Sequence, residues 1–138
     1  MDRYVKGFIA MSIVYLSVAS VIGVLMIIHS PFRVTLTFVH SHLMLLGWVS
    51  MMIYGVGYHI LPRFAGRLLK KTALAEAQFW MANAGLLGMV VMDALGRYNP
   101  GVPAYRTVLA LSGILEVASI FVFFYLMAVT LFGGEGQA

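Results

Sequence analysis

The chain has 138 residues, of which 62% are hydrophobic and only 10% charged, with a mean hydropathy of +0.94. These values lie far outside those of soluble domains and describe a single integral membrane domain. The formal net charge of +4 is not a nucleic-acid signal, because the basic residues fall between apolar runs. The absence of cysteine excludes disulfides, thiolate metal sites and covalent c-type heme attachment.

Four runs approach the roughly 20 apolar residues that a bilayer core requires. The first is expected to be a helix over about residues 7–29, closed by Ser30-Pro31. It is too long for a signal-peptide core and no A-x-A site follows, so it reads as a retained span. Ala19 and Gly23 form a small-xxx-small pair suited to close contact with another helix. The second span is expected over about 34–61, stopped by Pro62. The third is expected over about 72–97, with Thr72 and Glu76 suiting a cap and the helix dipole. A turn, "RYNPGVPAYR", follows, then a fourth span over about 104–132 and a frayed "GGEGQA" tail.

Connections this short imply an all-α, up-down four-helix transmembrane bundle. Arg63, Arg67, Lys70 and Lys71 crowd the second connection, and Arg3 and Lys6 precede the first span. Arg33, Arg97 and Arg106 lie in the less basic connections. The positive-inside rule therefore places both termini in the cytoplasm.

The second span carries three of the four histidines, His40, His42 and His59, and His29 ends the first span at the level of His40. An imidazole at membrane depth is costly and marks a cofactor or ion site by default. At 100° per residue, His40 shares a face with Met44, Gly47, Met51, Tyr54 and Tyr58. That face has the composition of a cofactor slot, with Gly47 where a flat macrocycle could approach the backbone. His42 points about 200° away, over Leu46, Val49, Ile53 and Ile60, a face that reads as lipid-facing or helix-packing.

In the third span Gly85, Gly88, Met89 and Met92 share a sector that serves either close helix packing or a porphyrin. In the fourth, Ser112, Gly113, Glu116 and Ser119 share a face. Glu116 is expected to be neutral and hydrogen-bonded inside the bundle, at most a proton-handling group. Asp93 and Arg97, four apart, suit a local ion pair.

Imidazoles placed this way are open to heme ligation, copper or zinc ligation, proton relay or structural hydrogen bonding. Heme b on His40 is the leading reading, with His29, His42, Met44 and Met92 as further ligand candidates. Copper on His29, His40 and His42, with Met26 or Met44 near, is the alternative. His59 lies about 28 Å from His40 along the axis and would serve a second metal or simply sit at the interface. Arg33, Arg97 and Arg106 are candidates to pair with heme propionates.

The stretch "HSHLMLLGWVSMMIYGVGYHILPRF" resembles the second helix of subunit I of the heme-copper oxidases and nitric oxide reductases, the C-type oxidases most closely. It also resembles the "HAHxMLFG" segment of the NnrS family. The resemblance implies that His40 is an axial ligand of a low-spin heme and that Arg63 is the arginine closing that helix. Those oxidases carry their remaining heme and copper ligands on later helices, whereas this chain has no histidine after His59 and no His-His pair. The expectation is therefore the heme-holding half without a dinuclear centre. Such a protein would serve electron transfer or nitric oxide handling, with no oxygen reduction by this chain alone. A copper- or heme-handling assembly protein is the alternative, and a third reading leaves the histidines structural. The shortage of ligands implies a homodimer or higher homo-oligomer, in a prokaryotic inner membrane, with a quinol or cytochrome as redox partner.

Overall fold

The computed structural model describes residues 1–69 and 71–133, so Lys70 and the tail beyond Gly133 lie outside the described residues. Those residues form α1 (Arg3–Ile28), α2 (Ser30–Thr35), α3 (Thr37–His42), a π-helical segment (Leu43–Ser50), α4 (Met51–Phe64), α5 (Thr72–Tyr98) and α6 (Pro103–Phe132). No strand occurs among them. The α3–π–α4 run is continuous, giving four helical stretches long and apolar enough to cross a membrane: Arg3–Ile28, Thr37–Phe64, Thr72–Tyr98 and Pro103–Phe132.

Three local expectations need correction. Pro31 does not only close the first helix; it sits in the first turn of α2, where its missing N–H would be unpaired anyway. Pro62 does not stop the second span, which runs on to Phe64. So close to a helix end a proline removes only one ladder bond. The stop is a Schellman motif, in which Gly66 N–H donates to Arg63 O (3.0 Å) and Arg67 N–H to Pro62 O (2.9 Å). Thr72 is the first helical residue of α5 rather than its cap, and no side chain caps that end.

Gly66 is the one described residue at positive φ (+63°), and a Cβ there would meet nothing within 4 Å. Gly66→Ala should therefore cost only the left-handed backbone penalty, about 1–2 kcal/mol. A chemical-denaturation comparison in detergent checks this.

α1 lies along the second span with residue pairs in reverse order: Tyr4 against Tyr58, Phe8 against Tyr54, Tyr15 against Gly47, Gly23 against His40. α5 and α6 pair likewise, Gly85 against Glu116 and Gly96 against Tyr105. The two hairpins meet over an aromatic core in which Phe123 contacts Tyr54 and Tyr58 (centroids 4.8 and 5.2 Å) and Phe8 contacts Phe79 (5.1 Å). Two interior polar pairs cross between elements, Tyr15 Oη–H to Asn83 Oδ1 (2.7 Å) and Tyr58 Oη–H to Gln78 Oε1 (3.2 Å). Outward, Ile13, Val21, Ile27, Leu111, Ile114 and Phe121 are exposed, a surface that suits acyl chains rather than water.

Candidate functional site

α3 begins after the break at Leu36 and carries His40 in its last turn, where the ring turns toward α1. His40 Nδ1 lies 3.0 Å from Ala19 O. A carbonyl only accepts, so Nδ1 carries the proton and Nε2 keeps its lone pair. This is the tautomer and support by which histidine presents Nε2 to a metal. Gly23 eases this approach: a Cβ there would sit 3.1 Å from His40 Cε1, close enough that the ring would have to give by a few tenths of an ångström.

Beside the ring is a cavity of about 460 Å³, lined by Ser20, Gly23 and Met26 of α1, Arg33 of α2, and His40 and Met44 of the second span. That volume falls within the usual range of ligand sites, about 300–1,000 Å³. The cavity is a groove open on one side, flanked by the exposed apolar residues Val24 and Ile27. One ligand-ready imidazole, two thioethers and one guanidinium thus border a single apolar groove.

The other candidates lie elsewhere. Gly47 is on the inward face, as its stripe predicts, but a Cβ there would stand 2.7 Å from Tyr15 Cβ; its space admits α1, not a macrocycle. Gly85 and Gly88 meet Glu116 and Ser112 of α6, which leaves helix packing as their use. Met92, Arg97 and Arg106 line a separate cavity of about 200 Å³ between α5 and α6. Arg97 is there paired with Asp93 at 2.8 Å, the expected local ion pair.

His42 donates from Nδ1 to Phe38 O (2.8 Å) and stacks on the Phe38 ring (centroids 3.8 Å), outside the groove. His29 is exposed, its ring 5.6 Å from that of Phe32. Arg63 donates to His59 Nδ1 at 2.7 Å, which puts the imidazole proton on Nε2 and leaves no lone pair for a metal. Among the described residues no three metal-ligating side chains of the His, Cys, Asp or Glu type come together, so His29, His40 and His42 do not form one coordination set.

Sequence reasoning put Met26 near the histidines as a thioether and named Arg33 as one of three propionate partners, and both border the groove; it missed Ser20 and the Ala19 carbonyl. The signal was the Ala19/Gly23 pair, whose close helix contact turns out to be with the histidine itself. The fold and this groove define an all-helical protein with four membrane-length helices and one ligand-ready imidazole bordering an open apolar groove. No protein-family profile, curated protein or solved structure matches the chain.

Proposed function

We propose that the chain is a b-type heme protein of a prokaryotic inner membrane, with His40 Nε2 as an axial iron ligand, serving electron transfer or nitric oxide handling. The observation that carries this reading is the His40 pairing: Nδ1 is fixed by the Ala19 carbonyl and the ring borders an apolar groove of ligand size. Met26 and Met44 offer thioethers, and Arg33 a guanidinium for a propionate. Heme supplies one-electron chemistry when bound; the protein holds the imidazole in one tautomer and surrounds it with low-dielectric side chains.

The topology belongs to the same proposal: an up-down-up-down bundle with both termini cytoplasmic. It is supported by the reversed pairings above and by Arg67, whose guanidinium donates to Thr130 O and Leu131 O (3.3 and 3.2 Å) at the end of α6. These contacts gather Arg3, Lys6, Arg63, Arg67 and Lys71 at one end. The open side of the groove favours a second copy of the chain as its cover, and a quinol or cytochrome as electron partner.

The test is a reduced-minus-oxidised absorption spectrum of detergent-purified protein with metal analysis. Sharp b-type bands support the reading; copper without bands selects metal handling, and neither leaves the histidines structural. Within it, Arg33→Ala should weaken heme retention by at least about tenfold, since one hydrogen bond to a charged group is worth about 1.5–3 kcal/mol. Band positions should stay unchanged, since the iron ligand is intact; a heme-transfer assay to apomyoglobin reads the loss.

A further inference from the structure

Two places outside the His40 groove hold charged side chains at the seam between α5 and α6. One is Glu116, 2% exposed in the middle of α6, with no hydrogen-bond partner for either carboxyl oxygen among the described residues. The expectation of a hydrogen-bonded carboxyl is not met, and Glu116 lines neither the groove nor the cavity at the α5–α6 turn. The other place is that cavity of about 200 Å³, whose walls include Met92, Asp93, Arg97, Tyr105, Arg106 and Leu109. Its charges do not cancel. Arg97 Nε donates to Asp93 Oδ2 at 2.8 Å and Nη2 to Oδ1 at 3.1 Å, so both carboxylate oxygens are taken and the guanidinium is held in one orientation. That pairing uses only two of the five N–H groups of Arg97. Arg106 is exposed and has no salt bridge or side-chain hydrogen bond among the described residues. Two guanidiniums thus share the cavity with one carboxylate, which leaves one positive charge in excess.

The cavity is polar at one end and apolar at the other. Met92 and Leu109 lie one turn inward from Gly96 and Tyr105. The same helix faces continue to Met89 and Gly113, where a Cβ on Gly113 would meet only Met89 Sδ, at 4.0 Å. A shallow apolar track therefore leads from the arginines toward the middle of the two membrane-length helices. Beside the turn Tyr98 is 68% exposed, an amphipathic ring of the kind found at headgroup level. The volume lies below the about 300–1,000 Å³ of drug-sized ligand sites, which suits a small anionic group rather than a macrocycle. Guanidinium groups match phosphate through paired N–H···O bonds. A zwitterionic headgroup brings its own cation, whereas an anionic one leaves its phosphate charge for the protein to meet.

We propose that the cavity at the α5–α6 turn binds the headgroup phosphate of an anionic phospholipid. Arg106 is the guanidinium that meets the phosphate, Arg97 is fixed beside it by Asp93, and an acyl chain follows the track past Met92 and Leu109. The site stands apart from the heme reading, because it lies on the other helical hairpin and shares no residue with the His40 groove.

Native mass spectrometry of the heme-free, full-length protein in a non-ionic detergent tests it, by titration with dioleoyl phosphatidylglycerol or dioleoyl phosphatidylcholine. Wild type should take up one phosphatidylglycerol saturably, and well before it takes up phosphatidylcholine. Arg106→Gln should weaken that uptake at least about tenfold, the scale of a lost hydrogen bond between charged groups. Arg3→Gln removes the same charge at the other end of the bundle and should leave the uptake unchanged. Inorganic phosphate at millimolar concentration should not displace the lipid, since it brings no acyl chain to the track. Equal uptake of the two lipids by wild type overturns the proposal whether or not the variants fold. A preference that survives Arg106→Gln, or that falls as far in Arg3→Gln, is diffuse attraction and overturns it too. Displacement by inorganic phosphate overturns the lipid as occupant and makes the cavity a site for a free anion.

Discussion

Replacing His40 with alanine should strip heme from the purified protein, while His42→Ala, His29→Ala and His59→Ala should leave most of it bound. The histidines differ in hydrogen bonding and in place relative to the groove, and that sets the order. His40 has Nδ1 tied to a carbonyl and borders the groove. His42 has the same tautomer but is stacked on Phe38 away from the groove. His59 accepts from Arg63 and has no lone pair to give. Disturbing only the partner of a metal-bound histidine typically costs about 10–100-fold in affinity, so removing the ligand should exceed that range. Exogenous imidazole should restore part of the absorption, because the alanine leaves room for it against Gly23. Rescue separates loss of a ligand from loss of the fold. Full heme in His40→Ala with none in His59→Ala would reverse the assignment.

The sequence made the four spans legible because apolar length is a strong signal, and the inward stripe of the second span also turned out as read. Met51, Tyr54 and Tyr58 are buried along with Gly47. What the stripe meets could not be read from it. Periodicity gives the direction of a face, not its neighbour, and Tyr15 and Phe123 fill what composition presents as a slot. The π-helical segment Leu43–Ser50 had no Pro or Gly-Ser pair to announce it; Ser50 Oγ–H donating to Leu45 O (2.9 Å), five residues back, follows from the wider turn. π segments recur at functional sites, and this one begins directly below His40 and His42. The division of the arginines was equally hidden: Arg33, Arg97 and Arg106 sit in α2, α5 and α6, but only Arg33 lines the groove beside His40.

The glycines of α5 and α6 give the largest expected change in stability, and they decide between the two uses their pattern allowed. At Gly85 a Cβ would stand 2.9 Å from the Glu116 backbone nitrogen and 3.1 Å from its Cα. Backbone cannot swing aside as a side-chain tip can, so Gly85→Ala must push α6 away from α5. Overpacking of this kind costs about 1–3 kcal/mol. In the membrane interior there is no water-driven force between helices to offset it; close packing of small residues is itself what holds them. Gly113, on α6, is the control, since a Cβ there only reaches Met89 Sδ at 4.0 Å. Gly113→Ala should be neutral or stabilising by up to about 1 kcal/mol through helix propensity. Thermal unfolding of the heme-free protein in detergent distinguishes the cases. If these glycines made room for a porphyrin, Gly85→Ala would spare the heme-free protein and lower heme binding instead. Destabilisation without heme present assigns them to the seam between α5 and α6.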